Sequence, residues 1–335
     1  MSSIQNSALW HSARESSLGL VCRSTHRFVR DIRHLAHPKR GILPNLEQIT
    51  ESIAAIDAFS SDIGNEEPDT EAPIFLLASG WRTGSTLLQR ILVTDPAVIL
   101  WGEPLGDVAL VSKLAEMLAQ VPTFSKVNRR AIEGKPAASQ LATSWIANLC
   151  PPGEDLRPAL RMLFDRWLGE PAVKRGFARW GFKEVRLGAA EAMVLHWLYP
   201  RAKFLFLTRH PYDCYRSLAD SGWDQVYHRR PDLRIESAAD FARHWNRLVV
   251  SLSELPADFP CFRIRYEDLV NGEVDFRALE TWLGINLTEK IALSVIVGHS
   301  SSRPQLAWHE RWIISREAAP GMRSLGYSSN VGPPC

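Results

Sequence analysis

Long apolar runs are missing from this chain. No segment approaches the ~18 uninterrupted apolar residues that a membrane-crossing helix needs, and the N-terminal stretch MSSIQNSALWHSARESSLGLV has no basic region leading into an apolar core. Neither a membrane span nor a secretory leader is therefore expected. Cysteine is sparse as well. Cys22, Cys150, Cys214, Cys261 and Cys335 are scattered and odd in number, with no C-x-x-C pair and no histidine at zinc-ligand spacing. That argues against a disulfide scaffold or a structural zinc site and favours a reducing, cytoplasmic setting. Repeats and aromatic-interleaved basic stretches are absent too, so nucleic acid is not an expected partner.

An excess of one charge is also lacking: 39 Lys and Arg stand against 37 Asp and Glu. Locally the balance breaks. Residues 1–50 hold seven Lys/Arg and four of the ten histidines, whereas residues 51–81 hold seven acidic residues and no Lys or Arg. We read residues 1–72 as an N-terminal helical extension ending in an acidic linker, with helices over His26–Arg40 and Leu46–Phe59. The basic N-terminus reads as a solvated helical face. Residues 73–335 then form one main domain, which 45% hydrophobic content equips with a substantial core.

What is present begins at Ile74. The run Ile74-Phe-Leu-Leu-Ala78 has the length and continuous hydrophobicity of a strand buried on both faces. Gly80 and Gly84 punctuate the loop that follows, and Ser85 and Thr86 stand beside the first free N–H groups of a leucine-rich helix. An anion suits such a place. The ATP-binding loop G-x-x-x-x-G-K-[ST] is not matched, because the glycines are four apart and Ser85 stands where the lysine would be. The positive charge sits on Arg82 instead.

A second strand, Phe204–Thr208, ends at Arg209 and precedes a helix that Pro211 can open. Ser217 lies eight residues after Arg209, almost two turns into that helix. A phosphate near the sheet edge can thus receive the guanidinium and the hydroxyl together. Helices over Leu105–Gln120, Ala138–Cys150 and Asp155–Leu168 are expected to form a cap. A short strand at Trp180–Lys183, a helix over Ala189–Tyr199, a helix from Ser237 to Leu255, a strand at Phe262–Arg265 and helices near Phe276 and Glu289 complete the chain. The pattern predicts an α/β fold with a P-loop-like central parallel sheet flanked by helices.

The loop RTGST after a strand, together with TRHPYDCYRS carrying arginine and serine eight apart, resembles the sulfotransferases that use 3′-phosphoadenylyl sulfate (PAPS). The resemblance runs from about Ile74 to Tyr327 and is nearest to the branch of protein-tyrosine and some bacterial and carbohydrate sulfotransferases. It implies that 73–335 is a sulfotransferase catalytic domain. Arg82, Thr83, Gly84, Ser85 and Thr86 would hold the 5′-phosphosulfate, and Arg209 and Ser217 the 3′-phosphate. Gly102-Glu103 resembles the dipeptide whose glutamate is that branch's base, and Lys183 in Trp180-Gly-Phe-Lys-Glu-Val-Arg186 its lysine at the transferring sulfonate. Tyr266 resembles a tyrosine near the adenine, and Leu325-Gly-Tyr327 a loop closing over the nucleotide. Two departures stand out: Trp81 replaces a usual proline, and Pro104 follows Glu103 where the tyrosine-specific enzymes have an acid.

These likenesses imply transfer of a sulfonate from PAPS to a hydroxyl of a small-molecule, carbohydrate or phenolic/tyrosyl acceptor, releasing adenosine 3′,5′-bisphosphate. Glu103 would take the proton, with Glu184 as the alternative base, while Lys183 and Arg82 stabilise developing charge and Arg186 offers a further anion contact. No metal is expected, and a homodimer is allowed. A nucleoside-phosphate kinase of the same broad fold, or a non-catalytic nucleotide-binding protein, stays open as an alternative. His210 is read as packing, His299 and His309 in a C-terminal loop as acceptor contacts. Of the twelve tryptophans, Trp81, Trp101 and Trp223 adjoin these segments, where they could stack on an acceptor. Trp145, Trp167, Trp197, Trp245 and Trp282 are read as core.

Overall fold

The computed structural model describes residues 17–36, 45–57, 72–104, 106–120, 130–131, 137–143, 149–150, 156–222, 226, 233–287 and 305–328. These fall into two units, one of residues 42–209 and 247–301, the other of residues 1–41, 210–246 and 302–335.

The first unit is built on five strands: β1 (Ile74–Ala78), β2 (Val98–Trp101), β5 (Arg179–Glu184), β6 (Lys203–Thr208) and β7 (Cys261–Arg265). They lie in the order β2-β5-β1-β6-β7, and every neighbouring pair is parallel. β1 is central and buried along its whole length, as its unbroken apolar run requires. Its Phe75 ring sits 4.8 Å from Phe182 of β5 and 5.3 Å from Phe204 of β6. Burying side chains of this size stabilises the fold by about 1.5–3 kcal/mol each. Two short strands, β3 (Arg130–Ala131) and β4 (Leu149–Cys150), form a separate parallel pair.

Helices cover the sheet. The helix Leu46–Asp57 buries Ile49 and Ile56 in the same core as Leu195 and Leu198 of the helix Ala189–Leu198, and the Trp197 indole N–H donates to Asp57 Oδ1 at 3.1 Å. Because all five strands are parallel, their carboxyl ends share one edge, with β1 between β5 and β6. In open α/β sheets, that edge is where ligands bind.

The second unit is mostly helical over its described residues, with one antiparallel bridge between Val226 and Ile235. Ser17–Ala36, Pro211–Asp220, Trp308–Glu317 and Ala319–Ser324 belong to it, with the opening turns of Ala238–Ser253. Arg243 donates to the carbonyls of His34 and Leu35 at 2.9 and 3.2 Å, satisfying acceptors that the end of the first helix leaves open. Among the described residues, no helix is long and apolar enough to cross a membrane.

Several elements differ from the expectations above. Only Ala138–Thr143 of the span 138–150 is described as helix, and Leu149–Cys150 is strand. The span 105–120 is broken by a 3₁₀ turn at Gly106–Val108, and the α-helix is Leu110–Leu118. Ala109 between them has φ 55°, a left-handed conformation that interrupts a continuous helix. His309 lies inside the helix Trp308–Glu317 rather than in a loop, because Ala307 and Glu310 form its N-terminal turn with Glu310 Oε2 accepting from Ala307 N–H at 2.9 Å. His299, Trp145, Trp223, the acidic stretch 60–71 and the helix near Glu289 lie outside the described residues.

Candidate active site

Each strand of the sheet delivers one of the residues singled out by sequence to the shared edge. β1 runs into the loop Ser79–Gly84, β2 into Gly102-Glu103, β5 carries Lys183 and Glu184 and leads to Arg186, β6 ends before Arg209, and β7 ends before Tyr266.

The loop after β1 is held in an unusual shape. Arg82 has φ 64°, one of two non-glycine residues in the left-handed region among those described, at a cost of about 1–2 kcal/mol. Its carbonyl accepts from Arg209 Nη1 at 3.0 Å, which ties the first loop to the end of β6. Gly84 has φ 89° and caps the helix Ser85–Leu92. A Cβ on Gly84 would collide with the Tyr266 ring, so glycine is needed there on both counts. Arg209 lies 4.0 Å from the centroid of the same ring. Arg82, Gly84, Arg209 and Tyr266, which are far apart in sequence, therefore form one contact group.

Helix bonding begins only with the Leu87 and Leu88 amides, both donating to Gly84 O at 2.9 and 3.1 Å. The amides of Thr83 to Thr86 head the helix, where N–H groups have no intrahelical acceptor. The Thr83 hydroxyl is used within the loop, donating to Gly80 O at 3.1 Å. Ser79 Oγ, fully buried at the end of β1, meets no hydrogen-bond partner. Sequence reasoning passed over Ser79, although a hydroxyl at a strand end beside an anion loop was a signal.

A charge cluster occupies the β2–β5 side. Glu103 Oε1 accepts from Lys183 Nζ at 2.5 Å, and Glu103 Oε2 from Arg186 Nη2 at 2.8 Å. The same Arg186 nitrogen lies 2.8 and 3.0 Å from the two oxygens of Glu184. Glu184 is buried, its Oε1 also accepts the Val185 amide at 2.7 Å, and desolvation holds its carboxyl above the usual range in spite of Arg186. The Glu103 side chain is 27% exposed and borders a cavity of about 480 Å³. Arg186 is thus the hub of the cluster. Its guanidinium also stands 5.9 Å from the Trp81 ring, which gives this departure from the usual proline a role. Gly106 makes room for that guanidinium, since a Cβ there would overlap Arg186. Nothing in the sequence marked Gly106.

Ser217 belongs to the second unit, where it is buried on the helix Pro211–Asp220. His210 caps that helix, its Nδ1 accepting from Tyr212 N–H at 3.3 Å, and its ring packs 4.8 Å from Tyr327. It has the packing role expected of it.

A family profile described as "Sulfotransferase family" matches residues 73–289. No curated protein matches the chain. Among solved structures, the sulfotransferase domain of the Synechococcus PCC 7002 olefin synthase is 18% identical, with 78% of this chain and 98% of that chain covered and a TM-score of 0.39. The sulfotransferase STF9 of Mycobacterium avium is 16% identical, with coverages of 84% and 85% and a TM-score of 0.41. A sulfotransferase of Alicyclobacillus acidocaldarius is 18% identical, with coverages of 76% and 96% and a TM-score of 0.36.

Proposed function

We propose that this chain, which belongs to the sulfotransferase family, moves a sulfonate from PAPS to an acceptor hydroxyl and releases adenosine 3′,5′-bisphosphate. PAPS supplies a sulfonate activated by its bond to a phosphate. The observation that carries the reading is the contact of Glu103 with Lys183 at 2.5 Å, on the strand edge that also holds the anion loop. A carboxylate beside a cavity and a lysine beside the carboxylate are the two groups that sulfonate transfer asks for: one to take the acceptor's proton, one to meet negative charge.

In this reading Glu103 accepts the proton as the acceptor oxygen bonds to sulfur and the sulfur–oxygen bond to the phosphate breaks. Lys183 turns from Glu103 to the sulfonate oxygens, while Arg186 keeps Glu103 in place. Arg82 and the amides of Thr83, Gly84, Ser85 and Thr86 hold the 5′-phosphosulfate. Arg209 takes the 3′-phosphate, and Tyr266, already against Gly84 and Arg209, borders the adenine. Glu184 is the weaker candidate for base, because it is buried and engaged by both Arg186 and the Val185 amide.

The test is to incubate the protein with PAPS labelled in the sulfonate and an extract rich in hydroxyl compounds, then to identify the labelled product by mass. Labelled product that disappears with Glu103→Gln supports the reading. Label that stays on the nucleotide in every case, or magnesium-dependent ATP turnover, overturns it.

A further inference from the structure

The cavity beside Glu103 has a chemistry of its own. Trp101 and Trp167, Pro104 and Pro171, and Leu168 supply apolar walls, and Arg175 is the one cation among its lining residues. We propose that this cavity receives the acceptor, and that the acceptor is a hydroxyl on a flat, mostly apolar body, aromatic or fused-ring, with an anionic substituent meeting Arg175. The inference rests on the sulfotransfer reading of the site.

Hydrogen-bonding capacity decides against a sugar. A pyranose presents several hydroxyls, each of which loses water on entry and must find a partner. Glu103 is committed to the reacting hydroxyl, and the Trp101 indole N–H is already donated to Leu168 O at 3.0 Å. Apart from the Trp167 indole N–H and the Arg175 guanidinium, what is left is indole face, proline ring and leucine. These suit a planar apolar body, which gains from offset or edge contacts with indoles. A volume of about 480 Å³ falls in the ~300–1,000 Å³ range of small-molecule sites.

Local backbone geometry is spent on this wall. Residues Asp165–Gly169 form a π-helical turn between the helices Leu156–Phe164 and Glu170–Val173. Such turns are rare and recur at functional sites. Here the turn carries Trp167 and Leu168, which line the cavity, and Trp167, read from sequence as core, is half-buried, packing against the core while it also forms part of this wall. Gly102 keeps the space next to Glu103 open, since a Cβ there would meet nothing within 4 Å. Arg175 is exposed at the rim but anchored, its Nη1 donating to Pro171 O at 2.8 Å, so its charge stays near the cavity.

The experiment uses the full chain with 2-naphthol, 6-hydroxy-2-naphthoate, methyl glucoside and an acidic tyrosine peptide as acceptors. Binding of each is measured by calorimetry with adenosine 3′,5′-bisphosphate present, and transfer from PAPS by product mass. Both naphthols should bind and accept, with the carboxylate compound preferred and that preference lost in Arg175→Gln. Trp167→Ala should raise KM for both on the order of tenfold while bisphosphate affinity is kept. Gly102→Ala adds a methyl group to the cavity lining without displacing a neighbour, and should raise KM for both naphthols. Equal or better kcat/KM for methyl glucoside or the peptide overturns the inference, as does a KM for the naphthols that neither variant moves. Loss of bisphosphate binding in the wild type overturns the donor reading instead, and naphthol binding still reports on the cavity.

Discussion

Each of the two units contains a cluster of buried charge, and the two clusters are built on opposite plans. At the sheet edge, Glu103 is held through Lys183 and Arg186 at 2.5 and 2.8 Å, with its side chain partly open to a cavity. In the helical unit, Asp31, His309 and Glu310 are all buried, and the ion pairs they make are long: Arg30 to Asp31 at 3.7 Å, His309 to Asp31 at 3.7 Å, Arg27 to Glu310 at 3.8 Å. Their carboxylates are anchored by backbone amides, Asp31 Oδ1 accepting from Ala238 at 3.2 Å and Glu310 Oε2 from Ala307 at 2.9 Å. A carboxylate positioned by amides stays where the backbone is. One positioned by cations can release them to another anion, and the proposed mechanism depends on that difference.

The comparison breaks most visibly at Glu103. Glu103→Gln keeps size and most hydrogen bonding but removes the proton acceptor, so single-turnover transfer should fall by about 10²–10⁴ with bisphosphate affinity retained. Glu184→Gln should cost far less in rate. A collapsed Glu184→Gln beside a near-normal Glu103→Gln would move the base to Glu184. Lys183→Ala should also cut turnover much more than it weakens bisphosphate binding, because that product has no sulfonate for the lysine to meet. A parallel collapse of product affinity would make Lys183 a ground-state nucleotide ligand.

Arg209 comes next in size. It reaches Arg82 O at 3.0 Å and the Tyr266 ring at 4.0 Å, so it braces the strained loop in addition to the 3′-phosphate contact proposed for it. Arg209→Ala should weaken bisphosphate binding roughly ten- to a hundredfold, the loss of a charge-assisted contact of about 1.5–3 kcal/mol. Calorimetry against both the bisphosphate and AMP separates the two roles. Loss of the bisphosphate's advantage over AMP marks the 3′-phosphate contact, whereas equal weakening of both nucleotides would leave only the brace.

Much of the fold was legible because its signals are local. β1 matches the continuous apolar run at Ile74–Ala78, and Pro211 opens its helix as the fixed φ of proline favours. β2 was not read as a strand: at four residues with alternating burial, it is too short for periodicity to speak. The sequence likewise held no trace of Arg186 as a hub, since its partners Glu103 and Trp81 meet it only once β1, β2 and β5 are side by side. Trp167 was legible only in part. Its spacing fits a helical face packed on the core, where it does pack, but its place on a π turn and in the cavity wall leaves no mark in that spacing.

The smallest expected effect lies in the helical cluster and concerns pH. Burial holds the Asp31 carboxyl above its usual range, against the opposing pull of Arg30. In the unfolded chain this group titrates near 3.8, so between that value and the raised folded one, the folded state binds more protons than the unfolded state. The stability it contributes is therefore fully present below about pH 4 and is lost as pH rises through the folded value, by about 1.4 kcal/mol for each unit of upward shift. Asp31→Asn keeps an acceptor for the Ala238 amide but cannot titrate. Denaturant midpoints across the acid range should show wild-type stability falling relative to the variant as pH rises, with transfer activity alike in the two proteins at a fixed pH. A stability difference that is flat with pH would mean that the Asp31 carboxylate is as well solvated or paired in the fold as in the open chain. A pH-independent loss of transfer in Asp31→Asn would remove the contrast between a packing cluster and a working one.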